Sequence, residues 1–249
     1  MQKISVIIIA GNEEKNMAEC LESVRWADEI VVVDSESTDR TVEIARRFTD
    51  KVFVKKWGGY TSQKNFSLQK ASNEWVLSLD ADERVSPELQ EEIFKLDFSK
   101  DDGFYLPRRN YFLNKVIRSC GWSPDYQLRL FKKSKTTLTD RQVHEGFVVD
   151  GKKGYLKSEL IHYTHTTIWG TLTKINEYST LEAIEKSKRI RANGFHIFVE
   201  PIWAFFHHFI LRRGFTDGVH GLMVSLIHSM TKTQVYIKIW EMQNVREKK

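Results

Sequence analysis

Cysteine is almost missing from this chain of 249 residues, where only Cys20 and Cys120 occur. Two thiols so far apart make neither a disulfide framework nor a zinc site, so both read as buried thiols in a reducing cytoplasm. Long apolar runs are lacking as well. The most apolar region, Phe195 to Leu211, is interrupted by His196, Glu200, Pro201, His207 and His208, short of the about 18 uncharged apolar residues of a spanning helix. Met1-Gln2-Lys3 lead straight into a short apolar run and then polar Asn12-Glu13-Glu14. That pattern lacks the length and small-residue cleavage site of a signal peptide, so neither export nor a transmembrane anchor is expected. There is no GxxxxGK[ST] loop and no GxGxxG, which argues against P-loop ATPases and dinucleotide binding; phosphates would have to be held by a metal and by scattered Lys, Arg and backbone groups. Without GxSxG or HExxH, hydrolase and metalloprotease readings lack their central residues. No solenoid repeat or low-complexity segment is present.

What remains is globular. With 41% hydrophobic and 29% charged residues, the chain has apolar mass for a sizeable core, and its length suits one large α/β domain with an appended piece. The charge is unevenly spread: residues 1–185 hold 27 Lys and Arg against 29 Asp and Glu, whereas residues 186–249 hold 11 against four. The basic end reads either as a solvated tail or as a match for an anionic surface, nucleic acid or phospholipid. Its basic residues are interleaved with apolar faces, not with stacking aromatics in a polar groove, which weighs against nucleic acid.

Ile4 to Ala10 is a β-branched run of the kind a strand buried on both faces shows, and Glu13 to Val24 follows at helical spacing through Met17, Leu21 and Val24. The unit recurs. Ile30 to Val33 predicts a second buried strand, Ser37-Thr38-Asp39 offers N-cap chemistry to a helix opening at Val42, and Lys51 to Lys55 predicts a third strand. Gln63 to Ala71 predicts a helix, and Trp75 to Leu79 a fourth strand ending at Asp80. Such alternation implies a parallel sheet whose ligands bind beyond the carboxyl ends of its strands. Ser86-Pro87-Glu88 should then cap a helix to about Leu96, with proline at its favoured first position. Phe104 to Leu106 and Gln127 to Phe131 look like strands, a long helix is expected from Trp169 to about Arg191, and two apolar helices should follow. In the last two, Ile202, Phe205, Phe206, Phe209 and Ile210, and then Val219, Leu222, Met223, Leu226, Ile227 and Met230, recur at helical spacing. Each stripe fits a core, a dimer interface or a membrane surface.

Three acidic clusters fall just after expected parallel strands: Asn12-Glu13-Glu14, Asp34, and Asp80-Ala81-Asp82-Glu83. Carboxylates converging on one crevice are costly unless a cation neutralises them. Asp80-x-Asp82 puts two oxygen ligands on one side of a turn, which suits a hard divalent ion that keeps waters and bridges phosphates. On spacing alone the cluster also reads as a solvated acidic turn; its place after an apolar strand favours the ligand reading.

The segments Ser5 to Glu14, Val31 to Thr41 and Leu77 to Glu83 resemble the three N-terminal motifs of family 2 glycosyltransferases with the GT-A fold. Gln127-Leu128-Arg129-Leu130-Phe131 and Val143-His144-Glu145 are similar to bacterial lipopolysaccharide inner-core β-1,4-glucosyltransferases. The resemblance implies a Rossmann-like α/β fold, a mostly parallel central sheet flanked by helices, with a C-terminal helical extension. It divides the chain into a GT-A domain at 1–168, with a nucleotide-sugar half to about residue 100 and an acceptor half beyond, and a basic amphipathic region at 169–249.

It further implies that Ala10, Asn12, Glu13, Asp34, Lys64, Asp80 and Ala81 line the nucleotide-sugar pocket. Asp82, with Asp80, would hold Mg2+ or Mn2+ on the donor diphosphate. His162, in His162-Tyr163-Thr164-His165, is a candidate third ligand, with a satisfied core histidine as the alternative. Lys64, Arg129 and Arg141 are candidates to meet an anion or stand as surface charges. Glu145, in a stretch without clear periodicity, is by resemblance the base of an inverting displacement, with Asp125 next in line. Two positions depart from the family pattern: Ser35 stands where many relatives carry a second Asp, and Ala10-Gly11 replace the common Pro-Thr-Tyr. The implied activity is transfer of a hexose, glucose first, from a UDP-sugar to a heptose of a lipopolysaccharide core or another lipid-linked saccharide. The enzyme would be peripheral on the inner face of the cytoplasmic membrane, as a monomer or an oligomer. A polyprenyl phosphate or capsule acceptor is the nearest rival, and a non-catalytic GT-A scaffold the rival of another class.

Overall fold

The computed structural model describes residues 2–138 and 146–245, which form two compact units, one of residues 2–109, 125–138 and 146–162, the other of residues 110–124 and 163–245. The expected division near residue 168 differs from this because the segment 110–124 leaves the first unit and joins the helical one.

In the first unit, β1 (Ile4–Ala10), α1 (Glu14–Ser23), β2 (Glu29–Asp34), α2 (Thr41–Ala45), β3 (Val52–Val54), α3 (Tyr60–Lys70) and β4 (Trp75–Asp80) follow the expected alternation. The strands β3, β2, β1 and β4 lie side by side and parallel, with Ala10 opposite Asp34 and Ile9 opposite Asp80. Contiguous apolar runs are needed here because successive residues enter different layers. Ile4, Val6 and Ile8 of β1, with Trp75, Leu77 and Leu79 of β4, meet Met17 and Leu21 of α1. Ile7, Val31, Val33 and Val76 enter the other layer with Leu68 of α3. Cys20 lies in the first layer, and burial pushes its thiol up to about 12. Cys20 and Cys120 are both free and buried, as expected.

Beyond β4 come β5 (Glu83–Val85) and α4 (Pro87–Phe94), where Ser86 accepts a hydrogen bond from the Leu89 amide and Pro87 opens the helix. Then follow β6 (Gly103–Phe112), β7 (Lys115–Val116), β8 (Tyr126–Lys132), β9 (Thr136–Leu138), β10 (Phe147–Val149), β11 (Lys153–Tyr155) and β12 (Leu160–His165). The strand β8 runs antiparallel to β4 and to β6, so the sheet is mixed on this side. Residues 139–145, which include Arg141, His144 and Glu145, lie outside the described residues.

The second unit carries α5 (Ile168–Ser187), α6 (Gly194–Phe206) and α7 (Val219–Asn244), close to the three expected helices. Thr167 and Asn193 cap the first two through their side chains. The carboxylate of Asp217, just before α7, accepts hydrogen bonds from the amides of Arg118 and Ser119 and from the Ser119 hydroxyl, which explains why 110–124 belongs here. At Gly221 a Cβ would lie 1.8 Å from the Gly214 carbonyl oxygen, so only glycine lets the chain approach this closely. Among the described residues no helix is long and apolar enough to cross a membrane.

At the amino end of β2, half-buried Glu29 accepts from Ser5, Lys51, and the amide and hydroxyl of Ser72. Burial raises its pKa, but the hydrogen bonds from Lys51, Ser5 and Ser72 outweigh it and hold the group at about 2 instead of 4.5. A depressed carboxylate stabilises the fold above its unfolded pKa and loses that contribution as pH falls through the folded one. Glu29→Gln is therefore predicted to cost about 1–2 kcal/mol at neutral pH. Urea melts should show the gap to wild type narrowing between pH 4.5 and about 2, whereas a pH-independent gap would contradict the charge as its cause.

Candidate functional site

The carboxyl edge of the parallel strands brings the first two acidic clusters together. Asp34 is fully buried and accepts from the amide and hydroxyl of Ser37 (2.8 and 2.5 Å). The Ser37 hydroxyl in turn accepts from the Asn12 amide at 2.7 Å, and the Asn12 side-chain oxygen accepts from the Thr38 amide at 2.9 Å. The Glu13 amide donates to Thr41 Oγ1, the Glu14 amide to Asp39, and the Glu13 carboxylate accepts from the Asn16 side chain. Ser37-Thr38-Asp39 thus ties two loops together and also supplies the expected cap, since the Asp39 carboxylate accepts from the amide and hydroxyl of Thr41, the first residue of α2, while Arg40 between them adds no side-chain bond. A helix of only five residues follows.

The two departures from the family pattern fit each other. The amide and hydroxyl of Ser35 both donate to the Ala10 carbonyl (2.8 and 2.9 Å), and a Cβ on residue 11 would lie 2.4 Å from Ser35 Oγ. Glycine at 11 makes room for the serine. The Ala10 side chain itself belongs to the core.

The third cluster is the turn from β4 to β5. Glu83 is fully buried; one carboxylate oxygen accepts from the Asp80 amide at 2.9 Å, the other from Arg129 at 2.5 Å and Arg108 at 3.5 Å. The same Arg129 nitrogen donates to Asp80 Oδ2 at 2.5 Å, while Lys64 Nζ lies 3.7 Å from Asp80 Oδ1. Arg84 donates to the carbonyls of Ala81 (2.7 Å) and Glu83 (2.9 Å). The turn is therefore fastened through its carboxylates on one side and its carbonyls on the other. The Ala81 methyl is part of the core and its carbonyl is taken by Arg84, so its side chain adds nothing to a pocket.

Burial raises the Asp80 pKa, but the charges of Arg129 and Lys64 outweigh it and hold this carboxyl well below the usual range. Burial disfavours the charge of Arg129, yet Asp80 and Glu83 hold its pKa above the ordinary value. Arg129 Nε, buried, finds no hydrogen-bond partner among the described residues. Arg108 also pairs with Asp125 (2.6 and 2.8 Å), the second candidate base, which stands there as one half of an ion pair.

Pairing of β12 with β5 sets His162 opposite Glu83. Its Nε2 lies 3.5 Å from Asp82 Oδ1, and both side chains are nearly buried. An imidazole facing a carboxylate is a donor pair suited to a divalent ion whose remaining positions are filled by waters and phosphate oxygens. Asp80 is engaged by Arg129 and Lys64 and is not part of that pair. Among the described residues no three His, Cys, Asp or Glu side chains form a ready-made metal cage. The structure thus joins Asp80, Asp82, Lys64, Arg129 and His162 in one cluster. Arg84, Arg108 and Glu83 are the supporting groups that the sequence pattern did not assign.

The model of the family described as glycosyl transferase family 2 matches residues 5–163. An uncharacterised glycosyltransferase of Rickettsia felis is 35% identical over 251 residues, covering 93% of this chain and 87% of that protein. The lipopolysaccharide core biosynthesis glycosyltransferase LpsC of Rhizobium meliloti is 30% identical over 253 residues, covering 94% and 92%. The mannosyltransferase PcManGT of Pyrobaculum calidifontis, solved with GDP-Man and Mn2+, shares the fold with a TM-score of 0.51 at 16% identity, covering 99% of this chain and 88% of its own.

Removing Arg129 leaves Asp80 and buried Glu83 without their shared cation. Arg129→Met is predicted to destabilise the fold by about 3 kcal/mol or more at neutral pH. The loss should shrink as the pH falls through the ordinary carboxylate range, since Asp80, no longer held down, takes up a proton there. Denaturant titrations of both proteins at neutral and acid pH check this, and a loss that grows on acidification would contradict the network.

Proposed function

The chain belongs to glycosyl transferase family 2, and from that premise we propose that it transfers a hexose, glucose, from UDP-glucose to a heptose of the lipopolysaccharide inner core with inversion to a β-linkage. The observation that carries the reading is the cluster at the carboxyl edge, where Asp82 and His162 face each other beside an Asp80 fixed by Arg129 and Lys64. The choice of acceptor is supported by the likeness to LpsC, a lipopolysaccharide core biosynthesis glycosyltransferase, over nearly the whole length of both chains.

In this reading Ala10, Asn12, Glu13 and Asp34 form the nucleoside end of the donor pocket, and Asp80, with the Ala81 backbone, its ribose side. Lys64 serves the diphosphate. Asp82 and His162 would hold Mg2+ or Mn2+, with Asp80 alongside, and the ion would supply positive charge to the departing diphosphate. Glu145 takes the proton of the attacking heptose hydroxyl. The hydroxyl oxygen bonds to the anomeric carbon from the face opposite UDP, and the electron pair of the broken bond leaves on the UDP β-phosphate oxygen. Arg129 and Glu83 hold the acidic turn in place and touch neither reactant. An acceptor of this kind places the enzyme on the inner face of the cytoplasmic membrane.

Two substitutions separate the roles. Asp82→Asn should abolish turnover of UDP-glucose with the fold intact by circular dichroism, and excess EDTA should do the same to the wild type. Glu145→Gln, which keeps the shape but accepts no proton, should lower kcat by about 100-fold with the donor KM little changed. Full activity in EDTA would remove the metal from the account, and near wild-type kcat in Glu145→Gln would move the base elsewhere.

A further inference from the structure

The outward face of α6 is apolar. Phe195, Phe198, Val199, Ile202, Trp203 and Phe206 follow helical spacing and are all exposed, Phe198 at 71% and Trp203 at 57%. The opposite face is apolar too: Pro201 and Ala204 are buried, and Ile197 packs on a cluster that includes Val235, Tyr236 and Ile239 of α7. Apart from His196 and Glu200 the helix is apolar on both faces; such a helix belongs in a core or in lipid, and this one has a core on one side only. The sequence pattern put the stripe on Ile202, Phe205, Phe206, Phe209 and Ile210. Phe205 and Phe209 are half-buried and stack on each other at 5.4 Å, so the exposed stripe is rotated toward Phe198 and Trp203. On α7, Val219, Leu222, Leu226 and Met230 are exposed in a stripe of their own.

Charge identifies what covers α6. Lys188, Arg189 and Arg191 stand exposed ahead of the helix and Arg212 and Arg213 beyond it, with Glu200 the only acid from residue 186 to 216. A second copy laid on this face, in either direction, would bring cations against cations. A leaflet of anionic phospholipid meets them with opposite charge and offers acyl chains to the stripe between them. Tryptophan also suits the boundary between headgroups and acyl chains, and phenylalanine the apolar face that such a helix buries there.

We propose that α6 lies in the plane of an anionic phospholipid bilayer, with Phe198 and Trp203 inserted at the headgroup boundary and the flanking cations on the lipid phosphates. This gives the membrane location of the preceding section its contact surface, and rests on that reading for the reason why a bilayer is visited at all.

The test is co-sedimentation of the full chain with vesicles of phosphatidylethanolamine and phosphatidylglycerol. Wild type should bind, less so as salt is raised. Phe198→Ser combined with Trp203→Ser should lower the partition constant by at least about tenfold, and Arg212→Glu with Arg213→Glu should erase the preference over phosphatidylcholine vesicles. Hydrolysis of UDP-glucose in solution, followed in parallel, should stay at the wild-type rate in both variants, which also reports that they fold. Wild type without that hydrolysis would count against the glycosyl-transfer reading and leave the vesicle result to stand by itself. Vesicle binding by the serine variant equal to wild type overturns the proposal. So does a wild type that stays in the supernatant as a dimer which the serine variant dissociates.

Discussion

One guanidinium, that of Arg129, is shared by two carboxylates, and the candidate site is organised around that sharing. Asp80 ends β4 and Glu83 opens β5, so a single buried cation on β8 pins both ends of the turn that carries Asp82. Arg108 reaches Glu83 from β6 and Asp125 from the start of β8, which extends the network along the sheet. Desolvating so many charges yields little net stability compared with an apolar core of the same shape, but breaking such a set is costly. What the network provides is position: with the turn fastened and β12 paired to β5, Asp82 and His162 have one relation to each other.

The other half of the carboxyl edge is organised by hydrogen bonds without a shared buried cation. Asp34, Ser37, Asn12 and Thr38 form a chain from β2 to the loop after β1, and Ser35 closes onto Ala10 where Gly11 leaves space. The residues that the family resemblance assigns to the nucleotide are therefore already tied to one another. A donor would meet a set of preformed loops and would lose less affinity to ordering them.

The sequence showed some of this and hid the rest for identifiable reasons. The strands β1, β2 and β4 were legible because each is buried on both faces and so reads as an unbroken apolar run. The helix α4 was legible from Ser86-Pro87, a cap that acts within four residues. The short strands β5 and β7 show no period and were missed, whereas β3, equally short, was placed by the alternation around it. With β5 went the reason for His162, which depends on a register between residues far apart in the chain. Arg129 left a signal, a lone charge inside the apolar strand Leu128 to Phe131, but its two partners depend on tertiary structure. The stripe was placed in part: Ile202, Phe206 and Ile210 are exposed but Phe205 and Phe209 are half-buried, because periodicity orients poorly a helix with apolar residues on both faces. Glu145 rests on the sequence resemblance, since it lies outside the described residues.

The central claim is that the fastened turn exists to present a metal seat to a nucleoside diphosphate. Calorimetric titration of UDP into the wild-type chain, once with Mn2+ and once with excess chelator, tests it without any turnover. The account predicts a Kd at least about tenfold lower with Mn2+, with that difference lost in a folded Arg129→Lys variant, whose side chain ends one bond short of the guanidinium nitrogen that both carboxylates share. UDP binding of equal affinity with and without the metal would contradict it.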